Sequence, residues 1–454
     1  MKSKLFISAL LITTVTLTSC KKFLDVAPKE STSDDITIVD ENSARTAVRG
    51  IFNQLSSNAY YGYTFQTLGF FSGDNIQYTG SQTVNRQLTN HDVKSDLGAL
   101  ATSWSGIYNT INRANNALEK IPQLPVTATF TEAVKNQLIG EAYFVRALAY
   151  FDLGRTWGGV QLILKPVTSP ASRPVIKRST LAETYKQVQD DLDAAEALLP
   201  NTVNRIRATR KTVWALKARL FLYQKQWDKA VEFATKLIED KTNYDLLKPY
   251  NSFFANSASN TKESVLELYY TSTVTNNQSS QWLPTTKGGV GWIRPTLQIA
   301  ELLNNPLIGG TRSSLLQKAV VSGIEDWYGN LYYRTPGTDP AFLIRIAELY
   351  LIRAEAYANL DKLTEATADL NAIRERAGLA ALPVNGKNDL LLAIENENRV
   401  EFAFENHRWY DLVRTGRAAS VLGITNADKL LLPIPFREVL ADAPNLEQNP
   451  SYTN

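Results

Sequence analysis

The stretch that decides the fold is "KARLFLYQKQWDKAVEFATKLI", residues 217–238. Its apolar side chains recur at steps of three and four residues, which is the period of an α-helix. The pattern predicts helices near 208–225 and 228–240, joined by a short turn. Ala218 and Ala230 fall at positions where a small side chain lets two helices approach closely.

Parts of this stretch recur elsewhere in the chain. "RALAYFDL" at 146–153 and "RAEAYANL" at 353–360 have the same order of a basic residue, alanine, a small or aliphatic residue and an aromatic one. The copy at 353–360 continues as "KLTEATADLNAIR" at 362–374, where Ala366 is at the position equivalent to Ala230. A two-helix unit repeated in this way resembles a tetratricopeptide repeat. The copies are far apart, so they do not form an uninterrupted solenoid, and long insertions are expected between them.

The remaining chain divides into helical segments and one irregular region. Helices are predicted near 43–56, 99–121, 131–154, 180–199, 341–360, 363–377 and 388–405. The span from about 243 to 340 is rich in Asn, Ser, Thr and Gly and predicts a long loop-rich insertion, in which "SVLELYY" at 264–270 reads as a strand. The sequence therefore predicts an all-α dominated fold of helical repeats with a long irregular insertion and few short strands.

The first twenty residues read as an export signal. Lys2 and Lys4 precede an uncharged run at 5–18, which is too short and too rich in threonine for a membrane-spanning helix. Cys20 is the only cysteine in the chain, so it has no partner for an internal disulfide. "LTSC" resembles a lipobox, which predicts a lipoprotein signal peptide at 1–19 and a lipid anchor on Cys20. No acidic residue follows Cys20 directly, and this favours the outer membrane over the inner one.

Composition excludes some classes of partner. The chain has 454 residues, with 48 basic against 45 acidic side chains. A charge this balanced gives no electrostatic footprint for nucleic acid. The chain also has 8 Trp, 20 Tyr and 17 Phe. Most of these aromatic side chains must belong to the core, so the informative ones are those outside it.

Six stretches together resemble the SusD/RagB family of surface glycan-binding lipoproteins. They are Cys20 with "KKFLDVAPKE", "WSGIYNTINRANNALEKI", "IGEAYFVRALAYFDLGRTWGGVQLI", "LIRIAELYLIRAEAYANL", "RVEFAFENHRWYDLVRTGRA" and "LLPIPFREVLADAPNLEQNPSY". The resemblance covers roughly 20–300 and 338–454. Around 301–335 the family's Asp-x-Arg is replaced by "NNPLIGGTRSS".

The resemblance implies a single helical domain at 20–454 with four tetratricopeptide-like units. It also implies an oligosaccharide or polysaccharide ligand, a SusC-like TonB-dependent transporter as partner, and a place on the cell exterior.

Candidate ligand contacts lie in polar loops that carry aromatic side chains. An aromatic face suits the apolar C–H face of a sugar ring, and its rigidity limits the entropy lost on ordering. Neighbouring polar side chains would bond the sugar hydroxyls. The predicted glycan-binding residues are Asp74, Asn75, Tyr78, Trp282, Trp292, Trp327 and Tyr328.

Catalytic chemistry has little support. Glu397, Glu401 and Glu405 share one helical face and could serve a glycosidase, but arginines surround them in the sequence and predict an ion-pair network instead. The two histidines, His91 and His407, have no second His or Cys at metal-ligand spacing. We therefore expect no enzyme activity, no metal and no cofactor.

The predicted function is capture of a glycan and its delivery to the transporter. Two alternatives stay open from the sequence. One is a helical-repeat lipoprotein scaffold for a protein or peptide partner, and the other is a surface glycoside hydrolase.

Overall fold

The structure is a computed structural model that describes residues 38–169, 172, 174–321, 323–383 and 386–452. The predicted signal peptide and Cys20 lie outside the described residues. Within the described ranges, no helix is both long enough and apolar enough to cross a membrane.

Helices dominate the described part of the chain, and a helix is found at every predicted position. The helix predicted over 341–360 begins later, as described below, and the helix predicted over 388–405 ends at Glu401. The α-helices are α1 (Glu41–Leu55), α2 (Thr64–Ser72), α3 (Arg86–Thr89), α4 (Gly98–Lys120), α5 (Glu132–Trp157), α6 (Leu181–Leu198), α7 (Arg210–Tyr223), α8 (Trp227–Ile238), α9 (Gln278–Trp282), α10 (Leu297–Asn304), α11 (Ile346–Asn359), α12 (Leu363–Arg376), α13 (Lys387–Glu401), α14 (Arg408–Arg414), α15 (Ala418–Leu422) and α16 (Phe436–Ala441). The strands are β1 (Ile76–Tyr78), β2 (Ser264–Leu268), β3 (Ile293–Pro295), β4 (Leu316–Val321), β5 (Ile324–Gly329) and β6 (Ala341–Arg345). The prediction of an all-α dominated fold is confirmed.

The opening stretch forms the hairpin of α7 and α8, and its copy forms α11 and α12. Thr209 starts α7 because its side chain accepts a hydrogen bond from the backbone N–H of Thr212. In each hairpin the residue in the middle of the turn has left-handed backbone, with φ of +56° at Lys225 and +58° at Asp361. This conformation is uncommon for residues other than glycine. Its recurrence at equivalent positions shows that the two hairpins are built alike.

The shared alanines lie where the helices touch. Ala218, Ala230, Ala354 and Ala366 have no exposed surface. α8 packs against both α7 and α11, so the two hairpins are neighbours in space although they are far apart in the chain. The predicted register of the repeat is confirmed by this burial.

Replacing Ala354 by leucine is expected to lower the free energy of unfolding by about 1–3 kcal/mol, because the larger side chain overpacks a closed contact. Ala368→Leu is the matched control, since Ala368 is exposed on the adjacent helix α12. Thermal unfolding followed by circular dichroism measures both variants. Equal melting temperatures for the two variants would contradict the assigned register.

The basic residue that opens each repeat makes a structural ion pair. Arg146 of α5 bonds Asp191 of α6 at 2.6 and 2.8 Å, and Arg353 of α11 bonds Asp369 of α12 at 2.7 Å. These bidentate pairs tie the two helices of a hairpin together. Lys217 of α7 instead forms ion pairs with the preceding helix, α6. The predicted total of four units stays a prediction.

The strands form three two-stranded antiparallel ribbons, β1 with β3, β2 with β6, and β4 with β5. The strand predicted at 264–270 is confirmed over Ser264–Leu268. The predicted start of the helix at 341 is wrong, because Ala341–Arg345 pairs with β2 and the helix begins at Ile346. A short apolar run fits both structures equally well, and pairing with a distant strand decides between them.

Candidate functional site

Glu401 lies at the centre of a buried cluster of charges. Its carboxylate accepts hydrogen bonds from Arg312 at 2.8 Å, from Arg345 at 2.9 Å and from Arg376. None of these four side chains has exposed surface. Burial favours a higher pKa, but the three guanidinium groups outweigh it and lower the pKa of Glu401 to about 2. Glu401 is therefore held ionised.

The other two carboxylates of the predicted helical face belong to the same cluster. Glu397 pairs with Arg312 at 2.5 Å, and Glu405 pairs with Arg345 at 2.6 Å. Both are buried. A glycosidase needs two acids that face each other across a space open to the sugar chain. These carboxylates are closed off by arginines, so the ion-pair network is the interpretation that the structure supports.

The arginines that complete this network were not foreseen. The glutamates' neighbours in the sequence were expected to supply the positive charge. Instead, Arg312 comes from the 3-10 helix Gly310–Leu315 before β4, Arg345 from the end of β6 and Arg376 from the end of α12. Arg312 lies in "GGTRSS", the segment where the Asp-x-Arg pattern is broken. Arg312 itself is fully buried.

The two histidines are packing residues. His407 is at the N-cap of α14 and stacks on Phe402 with 4.3 Å between ring centroids. Burial, with the nearby charges of Arg219 and Arg155, lowers the pKa of His407 well below its usual value. His91 stacks on Trp409 at 5.7 Å. In the part of the chain that the structure describes, no group of three or more His, Cys, Asp or Glu could hold a metal ion.

Asp74 and Asn75 are tied into the scaffold. Arg408 donates to Asp74 at 2.7 Å, and Arg399 lies 2.9 Å from its second oxygen. Burial favours a higher pKa for Asp74, but these two arginines outweigh it and lower the pKa. The Asn75 side chain accepts from Arg399 at 2.8 Å and donates to the backbone oxygen of Ala403. Both predicted polar contacts are therefore bonded within the scaffold, and their role in binding a ligand stays a prediction.

Two of the predicted aromatic contacts are buried. Trp282 has no exposed surface and donates its indole N–H to Gln278 at 3.1 Å. A fully enclosed ring has no face free for a sugar, so this prediction is corrected. Tyr328 is 7% exposed and lies outside the main core cluster, whereas its neighbour Trp327 packs against that cluster.

Tyr78 and Trp292 meet where β1 pairs with β3. Their ring centroids are 6.2 Å apart with the rings near perpendicular, and the backbone N–H of Thr79 donates to the carbonyl of Trp292 at 2.9 Å. Tyr78 is buried, whereas Trp292 is half-buried. A Cβ at Gly80 would lie within 3 Å of both rings, so only glycine permits this packing.

Trp327 lies on the adjacent hairpin of β4 and β5. It is half-buried, and the ammonium group of Lys318 on the paired strand lies 4.7 Å from its ring centroid. Asp326 forms an ion pair of 2.6 Å with Arg294 of β3. This ion pair holds the hairpin against the ribbon that carries Trp292. The structure thus brings Tyr78, Trp292 and Trp327 into one region, which we call the platform.

Sequence reasoning missed residues that shape the surface. Arg294 and Lys318 fix the platform from neighbouring strands, and only strand pairing reveals them. Tyr269, which the sequence predicts to be part of a strand, is 52% exposed, more than any other aromatic side chain among the described residues. The alternation of side chains past the end of β2 is the signal that could have identified it.

A groove of about 640 Å³ lies on the helical side of the molecule. Its walls come from α7, α8, α11, α13 and α14, and it includes Trp227, Leu391 and Arg417. It has a mixed polar and apolar lining with charges of both signs. This groove is the place at which a peptide partner would bind if the protein were a helical-repeat scaffold.

Comparison with known proteins places the chain in a family. A family model described as "Starch-binding associating with outer membrane" matches residues 22–222, and a second model, described as "SusD family", matches residues 310–429. The chain belongs to the SusD/RagB family. The second match includes most of the region around 301–335, which the resemblance seen in the sequence does not cover. The segment between the two matches, 223–309, contains much of the irregular insertion.

Individual members of the SusD/RagB family resemble the chain over almost its whole length. SusD-like protein P38 of Formosa agariphila is 28% identical, and the match covers 98% of each chain. The structure of a SusD superfamily protein from Bacteroides vulgatus superposes with a TM-score of 0.81 at 20% identity, covering 91% of this chain and 99% of that one. A structure named as a laminarin binding SusD-like protein has a TM-score of 0.78 at 24% identity, covering 91% and 100%. These likenesses to solved structures show the fold.

Proposed function

We propose that this SusD-like protein is a surface lipoprotein that binds an oligosaccharide or polysaccharide and passes it to a SusC-like TonB-dependent transporter of the outer membrane. In this proposal the protein itself makes and breaks no bond. The platform is the proposed sugar contact, in which Trp292 and Trp327 offer their ring faces and the buried Tyr78 supports Trp292.

The observation that carries the proposal is the pair of half-buried indole rings on two ribbons joined by an ion pair. Trp292 and Trp327 each keep part of their surface open, while Tyr78 supports Trp292 from the core. Rings fixed in this way can stack on the C–H face of a sugar with little loss of entropy. The Tyr78 hydroxyl is buried without a hydrogen-bond partner among the described residues.

The family supports the wider setting. Its model is described as starch-binding and as associating with the outer membrane, and a structural neighbour is named for laminarin binding. Transfer to a SusC-like transporter and exposure on the cell surface follow from the resemblance stated for the sequence. Capture requires only moderate affinity, because the ligand must be released to the transporter.

Affinity gels that contain starch, laminarin, xylan or mannan test the proposal. Retarded migration of the protein in at least one gel, without release of new reducing ends on long incubation, is the expected result. Release of reducing ends would support the glycosidase alternative. Unchanged migration in every gel would count against glycan binding.

The helical groove supports the peptide-binding alternative as the second candidate. A double substitution in the groove, Trp227→Ala with Arg417→Ala, should leave gel retardation unchanged if the platform binds the sugar. Loss of retardation in this variant, with the helical fold retained, would move the ligand to the groove.

Cys20→Ala is expected to abolish lipid incorporation, because Cys20 is the only thiol that can be acylated. Cells fed a clickable fatty acid report the modification, and fractionation reports whether the protein leaves the outer membrane. Ser19→Ala is the control that keeps the cysteine in place. Lipid on the Cys20→Ala protein would contradict the lipoprotein assignment.

A further inference from the structure

A second cleft lies in the irregular insertion, and none of the platform residues lines it. Its volume is about 590 Å³, and its walls are three segments at 256–259, 269–272 and 333–338. Small-molecule sites in proteins have volumes of about 300–1,000 Å³. The cleft is therefore large enough for a ligand of several rings.

Tyr269 provides an open aromatic face at this cleft. It comes directly after β2, and the next residue, Tyr270, points inward and donates its hydroxyl to the carbonyl of Ser56 at 2.9 Å. Because successive side chains of an extended chain point to opposite sides, the anchoring of Tyr270 turns Tyr269 outward. Half of the Tyr269 side chain is exposed as a result.

The walls of the cleft are held in place by Arg334. Its guanidinium donates to the backbone oxygens of Ala255 and Ala258 at 2.5 and 2.9 Å. Asp339 accepts from the Arg334 backbone N–H at 2.8 Å, and the two side chains lie 3.5 Å apart. Tyr333 also donates its hydroxyl to this loop, at the carbonyl of Phe254. Loops tied together in this way lose little entropy when a ligand binds.

The third wall is tied to the second. The backbone N–H of Asn276 donates to the carbonyl of Gly337 at 3.0 Å, and its side chain donates to the carbonyl of Asp339 at 2.7 Å. A reverse turn is closed by hydrogen bonds between the backbones of Thr271 and Val274. All three walls are therefore connected by hydrogen bonds, although each belongs to a loop.

The chemistry of the lining points to an uncharged, hydroxyl-rich ligand. Hydroxyl side chains supply much of it, and each can both donate and accept hydrogen bonds, as sugar hydroxyls do. These are Ser257, Ser259, Thr271, Ser272, Thr335 and Thr338. Arg334 is the charged side chain of the lining, and Asp339 and backbone carbonyls engage it. Burial raises the pKa of Asp339 to about 7, so Asp339 only partly balances this charge at neutral pH. Only 10% of the Arg334 side chain is exposed, however, so little of its charge faces a ligand.

We infer that the cleft around Tyr269 is a second carbohydrate site, separate from the platform, which stacks a neutral sugar ring on Tyr269 and bonds its hydroxyls through the serine and threonine side chains. A chain with two such sites would contact a long glycan at two points, and this raises its effective affinity without new contacts at either site. The inference rests on the proposed function for its class of ligand, but its residues are different.

Hydrogen exchange measured by mass spectrometry on the full protein, with laminarihexaose and maltoheptaose as probes, tests the inference. At least one probe should protect the segments 254–260, 269–274 and 333–338. The protection should persist in the Trp292→Ala Trp327→Ala double variant, from which the platform has been removed. Persistent protection would also distinguish the two proposals. If only the platform were assigned wrongly, the protection of the segments around this cleft would be unchanged.

Substitutions of Tyr269 then test whether its aromatic ring stacks on the sugar. In the double-variant background, Tyr269→Ala is expected to weaken binding at the cleft about tenfold or more, and Tyr269→Phe to change it by less than about threefold, because the stacking face is kept. Val274→Ala is the matched control, since Val274 is similarly exposed on the same loop but does not line the cleft.

Three results would overturn the inference. They are no protection of these segments by either sugar, loss of the protection in the tryptophan double variant, and equal binding by the Tyr269→Ala and control proteins. Protection by tryptic peptides of casein in place of the sugars would likewise assign the cleft to peptides.

Discussion

Replacing Glu401 by glutamine is expected to lower the free energy of unfolding by about 3–5 kcal/mol, the cost of removing one partner from a buried ion pair. The glutamine keeps the shape but loses the charge that three buried guanidinium groups share. Those arginines would then be neutralised only by Glu263, Glu397 and Glu405. Equilibrium unfolding in urea, followed by circular dichroism, measures the change.

Glu375→Gln is the control for this substitution. Glu375 also forms an ion pair, 2.9 Å from Lys248, but both side chains are largely exposed to solvent. Exposed pairs contribute about 0–1 kcal/mol, so this variant should unfold nearly as the wild type does. Similar small effects of both substitutions would show that the buried cluster tolerates the loss of its central carboxylate, contrary to the geometry.

The effect of Glu401→Gln should depend on pH. The pKa of Glu401 is about 2 in the folded protein against 4.5 for an unperturbed glutamate. A carboxyl whose pKa is depressed on folding stabilises the protein above its unfolded pKa, and that contribution is lost as the pH falls through the folded pKa. The difference in stability between wild type and variant should therefore be full above about pH 4.5 and shrink toward pH 2. Burial, together with the nearby charge of Glu401, raises the pKa of Glu405 instead, so the variant also changes the titration of Glu405.

The helical frame was predictable because its signal is local. The apolar period in 217–238 gives two helices, and the shared alanines give the contact between them. The ion-pair partners were not predictable in the same way. Arg345 reaches Glu401 only because β6 pairs with β2, and no pattern within either segment encodes that pairing.

The candidate site was harder to predict because burial of a loop aromatic depends on the rest of the fold. Trp282 and Tyr269 lie in the same polar insertion, yet one is enclosed by the core and the other is open to solvent. The composition of the insertion gives the same expectation for both residues. Strand alternation does not separate Trp327 from Tyr328 either, because β5 becomes more buried toward its end instead of alternating between exposed and buried residues.

Truncation of the platform is expected to remove glycan binding while the scaffold stays folded. Trp292→Ala and Trp327→Ala should each weaken binding by about 1–3 kcal/mol, the range found for aromatic contacts and interface hot spots. This corresponds to a loss of about 5-fold to 150-fold in affinity. Neither ring is fully enclosed by the core, so thermal stability should fall far less than affinity. Isothermal titration calorimetry with the polysaccharide that retards the wild type in affinity gels gives both affinity and stoichiometry.

Trp214→Ala is the control that distinguishes the loss of a sugar contact from the general effect of removing a tryptophan. Trp214 is also half-buried, but it lies on α7 and donates its indole N–H to Glu196 at 2.6 Å. This variant should lose stability and keep its affinity, which is the reverse of the result expected for Trp292 and Trp327. If both platform variants bind the glycan as the wild type does, the platform is the wrong surface. The cleft at Tyr269 would then be the next candidate for the sugar contact, because its ring is the most open aromatic face of the described chain.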